Sequence, residues 1–155
     1  MTIYLGADHG GFAFKQQLAV WLTATGYKVK DCGAETLVPG DDYPQYAIAV
    51  AQGVAADTAA HHSAIGFLFC RSGGGMAITA NKISGIRAVD IVDEKSAEHA
   101  RRDNDANVAT FAADWLTLDQ IKVLIAVFLA TPFSQDERHV RRLDQIKALE
   151  TPITN

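Results

Sequence analysis

Ala64-Ile65-Gly66-Phe67-Leu68-Phe69, followed at once by Cys70-Arg71-Ser72-Gly73-Gly74-Gly75-Met76, decides how this chain folds. The first run is continuously apolar, the pattern of a parallel strand buried on both faces. After the glycines, Ala77-Ile78-Thr79-Ala80-Asn81-Lys82 reads as a helix. A thiol, a hydroxyl and three glycines therefore stand where a strand turns into a helix, the place where open α/β sheets bind ligands. Free N–H groups and the positive end of the helix dipole attract anions there. In that field the Cys70 thiol is expected to ionise below its ordinary pKa of about 8.5.

The pattern repeats outward from this stretch. Strands are expected at Thr2–Ala7, Tyr27–Cys32, Ala64–Phe69, Ile86–Ile91 and Val108–Phe111. Helices are expected at Phe12–Thr25, Tyr43–Ala56 and Gly73–Ile83, then from Asp93 to Asp103, from Thr117 to Leu129 and over Glu137–Leu149. Gly26 sits where a helix-ending glycine belongs. Asp93 and Thr117 are helix caps by residue type, Thr117 with Gln120 three residues on. Short strands alternating with helices specify an α/β fold: a Rossmann-like three-layer sandwich with a five-stranded parallel sheet, helices on both faces and an extra C-terminal helix. Residues 1–150 read as one domain and 151–155 as a frayed tail.

Composition narrows the function. The 155 residues carry a formal net charge of −4, which argues against nonspecific nucleic-acid binding. No apolar run approaches the roughly 20 residues of a membrane helix, and the first residues form a strand rather than a signal peptide. Two cysteines, Cys32 and Cys70, make no disulfide framework and suit a reducing cytoplasm. No Cys/His cluster has zinc spacing, so no metal is expected; His61-His62 is a solvated pair. Neither G-x-G-x-x-G nor G-x-x-x-x-G-K-[ST] occurs, so no nucleotide cofactor is expected.

Four clusters can carry chemistry, and all four are expected beyond the strand ends that bind ligand. Asp8-His9-Gly10-Gly11 offers a carboxylate and an imidazole able to hold a hydroxyl and move a proton, or else a simple turn before a helix. The Cys70 loop pairs a potential base with glycines that let the backbone approach a ligand. Cys32, lacking such company, reads as a small buried side chain. Asp103-Asn104-Asp105-Ala106-Asn107 can bind hydroxyls or form a helix end and an Asx turn, with His99 one helical turn away from Asp103. Arg138 and Arg142, four apart on a helix, can chelate a phosphate or form a solvated basic face with Asp136, Glu137 and Asp144.

Together these motifs resemble the type B ribose-5-phosphate isomerases and the related galactose-6-phosphate isomerase subunits. The pieces run in order from Ile3 to about Leu149: Gly6-Ala7-Asp8-His9-Gly10-Gly11, Asp42-Tyr43-Pro44, Cys70-x-Ser72-Gly73-x-Gly75, Ala80-Asn81-Lys82, Gly85-Ile86-Arg87-Ala88, Asn104-Asp105-x-Asn107-Val108 and Arg138-His139-x-x-Arg142. The resemblance implies a metal-independent aldose–ketose isomerase without cofactors, working through an enediol on ribose 5-phosphate or another aldose phosphate. It implies Cys70 as the base, Ser72 as its supporting hydroxyl, and the backbone of Arg71, Ser72, Gly73, Gly74 and Gly75 as the hole for the enediolate. Asp8, His9 and Tyr43 become contacts to the sugar, Asn104 a contact supplied across a dimer interface, and Arg138 and Arg142 the phosphate clamp. It further implies a homodimer, or a dimer of dimers, with the site at the subunit interface.

Two positions depart from that family pattern. Asp103 stands where the ring-opening histidine is usual. A carboxylate ionised at neutral pH accepts a proton but hardly donates one, so His99 or His9 is expected to supply the acid. Asp114 stands where many relatives have a phosphate-assisting arginine, and Arg71 or Arg141 is expected to compensate. The alternatives are an isomerase of a tetrose or hexose phosphate, a sugar-phosphate-binding protein without catalysis, and a flavin-binding domain of the same fold class.

Overall fold

The computed structural model describes residues 1–150, so the tail expected at 151–155 lies outside the described residues. Five parallel strands form one sheet in the order β2-β1-β3-β5-β4. They are β1 (Thr2–Ala7), β2 (Lys28–Asp31), β3 (Ala64–Cys70), β4 (Ala88–Asp90) and β5 (Val108–Ala112). β3 is central, pairing Thr2–Ala7 on one side and Val108–Ala112 on the other. All seven of its residues are buried, as its unbroken apolar run requires.

Three helices cover one face: α1 (Phe12–Ala24), α4 (Glu94–Arg102) and α5 (Leu118–Ala130). Their contacts meet Phe67, Phe69 and Phe111 of the sheet, with the Phe69 and Phe111 rings stacked 5.5 Å apart and Phe128 edge-on to Phe67 at 5.8 Å. Helices α2 (Tyr43–Ala59) and α3 (Gly74–Ala80) cover the other face around Tyr4, Leu68, Cys70 and Val108. The caps on α4 and α5 are complete: Asp93 with Ser96, and Thr117 with Gln120, exchange reciprocal bonds. The last helix, α6 (Glu137–Ala148), buries only His139.

Several bounds differ from the sequence expectation, each for a local reason. α3 stops at Ala80 instead of Ile83, because Lys82 and Ile83 turn back on i−3 carbonyls. β4 spans Ala88–Asp90 rather than Ile86–Ile91, since side chains take over the backbone bonds before it. Asn81 bonds both the N–H and the carbonyl of Ala88, and Asn107 accepts the Arg87 N–H. β3 runs on to Cys70 itself, β5 to Ala112 and α2 to Ala59.

Candidate active site

Cys70 is the last residue of β3 and is 5% exposed. Its carbonyl accepts the Ala113 N–H at 2.8 Å, which ties the end of β5 beside it. The chain then turns through Arg71 and Ser72, both exposed, to Gly73. Gly73 adopts φ +76°, a left-handed conformation that glycine takes without steric cost. That turn points the Gly73 N–H at the Cys70 sulfur, 3.1 Å away. The first N–H groups of α3 follow directly, and a helix start leaves such groups without intrahelical acceptors.

The Asp8–Gly11 loop lies against this turn. The Asp8 N–H donates to the Phe69 carbonyl at 3.3 Å, and Gly10 leaves room for the Arg71 stem. Asp8 is buried, and its Oδ1 accepts the N–H groups of Gly10 and Gly11 at 2.9 and 3.2 Å. It thus shapes the loop as an Asx turn, while Gly11 stands at the N-cap of α1. The Tyr43 ring, from the first turn of α2, packs against Gly75. One end of the sheet therefore gathers Asp8, His9, Tyr43, Cys70, Ser72 and Gly73–Gly75.

His9 is held from the far side by Asp41, a residue the sequence reading passed over as loop. Asp41 Oδ1 accepts both the His9 backbone N–H and ring Nδ1, each at 2.8 Å. Asp41 Oδ2 accepts the Tyr46 hydroxyl at 2.8 Å. Burial pushes the Asp41 carboxyl up, but these His9 and Tyr46 bonds outweigh it and hold the group below the usual carboxylate range. No sequence motif marks Asp41; only the path of the loop brings it under His9.

Asp90 was missed as well. Its Oδ1 sits where a side chain on Gly73 would go and accepts the Thr110 hydroxyl at 2.8 Å. Burial raises its carboxyl above the ordinary range, with Thr110 pulling weakly the other way. Cys32 is half-buried at the end of β2, and desolvation pushes its thiol up.

The other two clusters do not lie where the sequence placed them. Asp103–Asn107 precedes β5 and sits at the opposite end of the sheet from Cys70. Asn107 bonds there to the Gly85 carbonyl, ahead of β4. The four residue steps from Val108 to Ala112, which pairs with Cys70, span about 13 Å. The start of α6 lies at that same far end. Ser134 N–H donates to the Arg102 carbonyl at 2.9 Å, and the buried His139 ring meets Ser134 at 2.8 Å and Asp103 at 3.8 Å. The physical reason is topological: α4 and α5 each carry the chain back across the sheet before the next segment begins.

At that end Asp103 binds Arg102 at 2.8 Å, and this bond holds its carboxyl below the usual range. His99 lies 3.8 Å from Asp103 on one face of α4. Asn104, Arg138 and Arg142 are exposed, with Arg138 3.6 Å from Asp136. Asp114 lies near Cys70 instead, 4.0 Å from Arg71. Among the described residues no group of three His, Cys, Asp or Glu side chains is placed to hold a metal, and no helix is long and apolar enough to cross a membrane.

Comparison with known proteins places this geometry. The model of the Ribose/Galactose Isomerase family matches residues 3–146. The chain belongs to the ribose/galactose isomerase family. Its class is aldose–ketose isomerase. Ribose-5-phosphate isomerase B of Mycolicibacterium paratuberculosis is 35% identical over 97% of this chain and 92% of its own length. The Escherichia coli K12 protein of that name is 35% identical over 96% and 95%. Among solved structures, ribose-5-phosphate isomerase B of Mycoplasma genitalium with bound ribulose-5-phosphate superposes with a TM-score of 0.90 at 32% identity, covering 96% of this chain and 95% of that one. The type B enzyme of Trypanosoma cruzi gives 0.88 at 36% identity over 96% and 95%.

Proposed function

We propose that this isomerase interconverts ribose 5-phosphate and ribulose 5-phosphate through an enediolate, with Cys70 as the base. The observation that carries the reading is the Gly73 N–H aimed at the Cys70 sulfur from 3.1 Å. A hydrogen bond to the charged form stabilises a thiolate. In the forward reaction the sulfur takes the proton from C2 of the opened aldose. The electron pair moves to form the C1–C2 double bond, and charge collects on O1. The O2 hydroxyl proton passes to O1, the pair left on O2 forms the C2 carbonyl, and the C1–C2 double-bond pair takes the proton back from the sulfur at C1. The N–H groups of the Arg71–Gly75 turn supply donors for those oxygens, and a donor of this kind is typically worth about 3 kcal/mol of barrier. Ser72 supports the thiolate, and Asp8, His9 and Tyr43 line the sugar.

The phosphate clamp, Arg138 and Arg142, and the Asn104 contact belong to the far end of the sheet. One chain cannot bring them to its own Cys70. The reading therefore includes a homodimer, or a pair of dimers, in which one copy's far end completes the other copy's site. The residues left uncovered on and just after α6 support it: Val140, Ile146 and Leu149 are exposed on an element that buries only His139. Each subunit acts as one domain over residues 1–150, in a reducing cytoplasm that keeps Cys32 and Cys70 free.

A second reading keeps the chemistry and changes the sugar. Arg71, the cation next to Cys70, faces Asp114 at 4.0 Å, which offsets its charge for a phosphate and leaves tetrose and hexose phosphates to be weighed beside ribose 5-phosphate. The test is an isomerase assay on aldose phosphates of four, five and six carbons, read as ketose formed. Ribose 5-phosphate is expected to give the highest kcat/KM, and Cys70→Ser to remove turnover while keeping affinity for the sugar phosphate. No ketose from any of the sugars would leave only a binding protein.

A further inference from the structure

We propose that Asp41 is the positioning residue that makes His9 the group opening the sugar ring. The inference rests on the isomerase reading above and goes beyond it. An aldose with a closed ring has no carbonyl, so its C2 proton is not acidic. The ring must open before Cys70 can act. The usual acid for that step is replaced by Asp103, which Arg102 holds as a carboxylate with no proton to give.

Two histidines stand near candidate site groups with a ring exposed to do this work, and their surroundings differ. His99 is more than half exposed and has only the distant Asp103 carboxylate, 3.8 Å away, to orient it. His9 is 34% exposed, and its Asp41 partner is 4% exposed. One carboxylate oxygen receives the His9 main chain and ring together, so the imidazole is fixed at two points. The second oxygen is occupied by Tyr46. An ionised carboxylate has no proton to donate, so Nδ1 must carry the hydrogen and Nε2 is left as the acceptor. A buried carboxylate behind an imidazole fixes its tautomer and orientation and stabilises the imidazolium that forms on proton transfer. The groups around His9 are Asp41 from the 32–42 loop, Tyr46 from α2, Asp8 from its own turn and Arg71, whose stem lies on Gly10. The His9 loop abuts the Cys70 turn in the same chain through the bond from Asp8 to Phe69.

The step balances without any further reactant. Nε2 takes the proton of the anomeric hydroxyl, and the electron pair of that O–H bond becomes the second bond of the C1 carbonyl. The bond from C1 to the ring oxygen breaks, and its pair stays on that oxygen. The imidazolium returns the same proton to the ring oxygen, so His9 ends neutral. Both oxygens are attached to C1, and one nitrogen can serve both.

The experiment measures ribose 5-phosphate turnover against enzyme concentration for the parent and for Asp41→Asn, His9→Gln and His99→Gln. The parent opens the ring itself, so its rate is expected to rise in proportion to enzyme throughout. In Asp41→Asn and His9→Gln the enzyme draws on sugar that has opened spontaneously. Their rates are expected to fall about tenfold or more and to level off as enzyme is raised. His99→Gln is expected to remain proportional. In ¹⁵N spectra the parent His9 is expected to carry its hydrogen on Nδ1, and Asp41→Asn to lose that preference. If Asp41→Asn does not fold, the plateau in His9→Gln and the parent tautomer decide. Asp41→Asn turnover that stays proportional to enzyme, whether lowered or not, overturns the proposal. So does a plateau in His99→Gln without one in His9→Gln. A parent with no turnover on any aldose phosphate would instead sink the isomerase reading itself.

Discussion

Asp90 fills the space beside Gly73: its Oδ1, already bonded to Thr110, occupies the position a β-carbon on Gly73 would need. Gly73 also holds φ +76° and donates its N–H to Cys70. Gly73→Ala therefore meets two obstacles at once. The left-handed backbone costs an alanine about 1–2 kcal/mol, and the methyl must displace the Asp90 carboxyl. Relaxing the turn moves the N–H away from the sulfur. A drop in urea midpoint together with a large fall in kcat is the expected result. A variant that keeps full turnover would show that the turn does not set the geometry at Cys70.

Asp90 and Asp103 should tilt the pH dependence of stability in opposite directions. Burial raises Asp90, so the native state keeps its proton to higher pH than the unfolded chain does. Its stabilising contribution is full below an unfolded pKa of about 3.9 and is lost as pH rises through the native value. The Arg102 bond lowers Asp103. Its contribution is full above about pH 3.9 and is lost as pH falls through the native value. Relative to the parent, Asp90→Asn should gain stability as pH rises from about 3.9 toward about 7, whereas Asp103→Asn should show a constant deficit above about pH 4 that shrinks as pH falls below it. Urea melts above about pH 4 for Asp90 and below about pH 4 for Asp103 measure the two, and a pH-independent difference within its own window contradicts that assignment.

The sheet was legible because β3 is buried on both faces and its sequence is unbrokenly apolar. The caps at Asp93 and Thr117 were legible because their partners lie three residues away. What the sequence concealed depends on where loops travel. Asp41 lies 32 residues from His9, and Asp90 lies 20 from Thr110. Neither pair has a periodic signature. The placing of Asn104 and Arg138 failed for a different reason. Residue type marked both as ligand-binding, but a segment that follows a crossover helix, as Asn104 follows α4 and Arg138 follows α5, emerges at the opposite end of the sheet from one that follows a strand.

Lys15 shows the same kind of hidden contact with a consequence for stability. Its side chain is wholly buried, bonded to Asp31 and to the Ala34 carbonyl at 3.1 Å, while the Asp31 carboxylate is 34% exposed. Removing the two partners should therefore not cost the same. Lys15→Met leaves a carboxylate that water can reach, at about 1–3 kcal/mol. Asp31→Ala strands an ammonium in the interior and frees the Gly33 N–H it also binds, at about 3–5 kcal/mol. Urea unfolding of both variants decides, and an equal or reversed order would mean that the pair is more hydrated than its burial implies.

The separation of Cys70 from Arg138 and Arg142 can be tested by mixing inactive chains. Cys70→Ser removes the base at one end of the sheet. Arg138→Ala with Arg142→Ala removes the clamp at the other, and since both arginines are exposed the fold should tolerate their loss. If each site takes its base from one copy and its clamp from another, each mutant homodimer has two defective sites. A hybrid has one site carrying both defects and one carrying neither. Unfolding and refolding an equal mixture yields hybrids for about half of the dimers, so activity should return to about one quarter of the parent value. The arginine variant alone should lose kcat as well as raise KM, because phosphate binding remote from the reacting carbons also positions them, so it contributes little turnover to the mixture. A refolded mixture no more active than its components would mean that base and clamp act within one chain or that the arginines do not hold the phosphate. Ketose formation by the refolded mixture measures which arrangement is real.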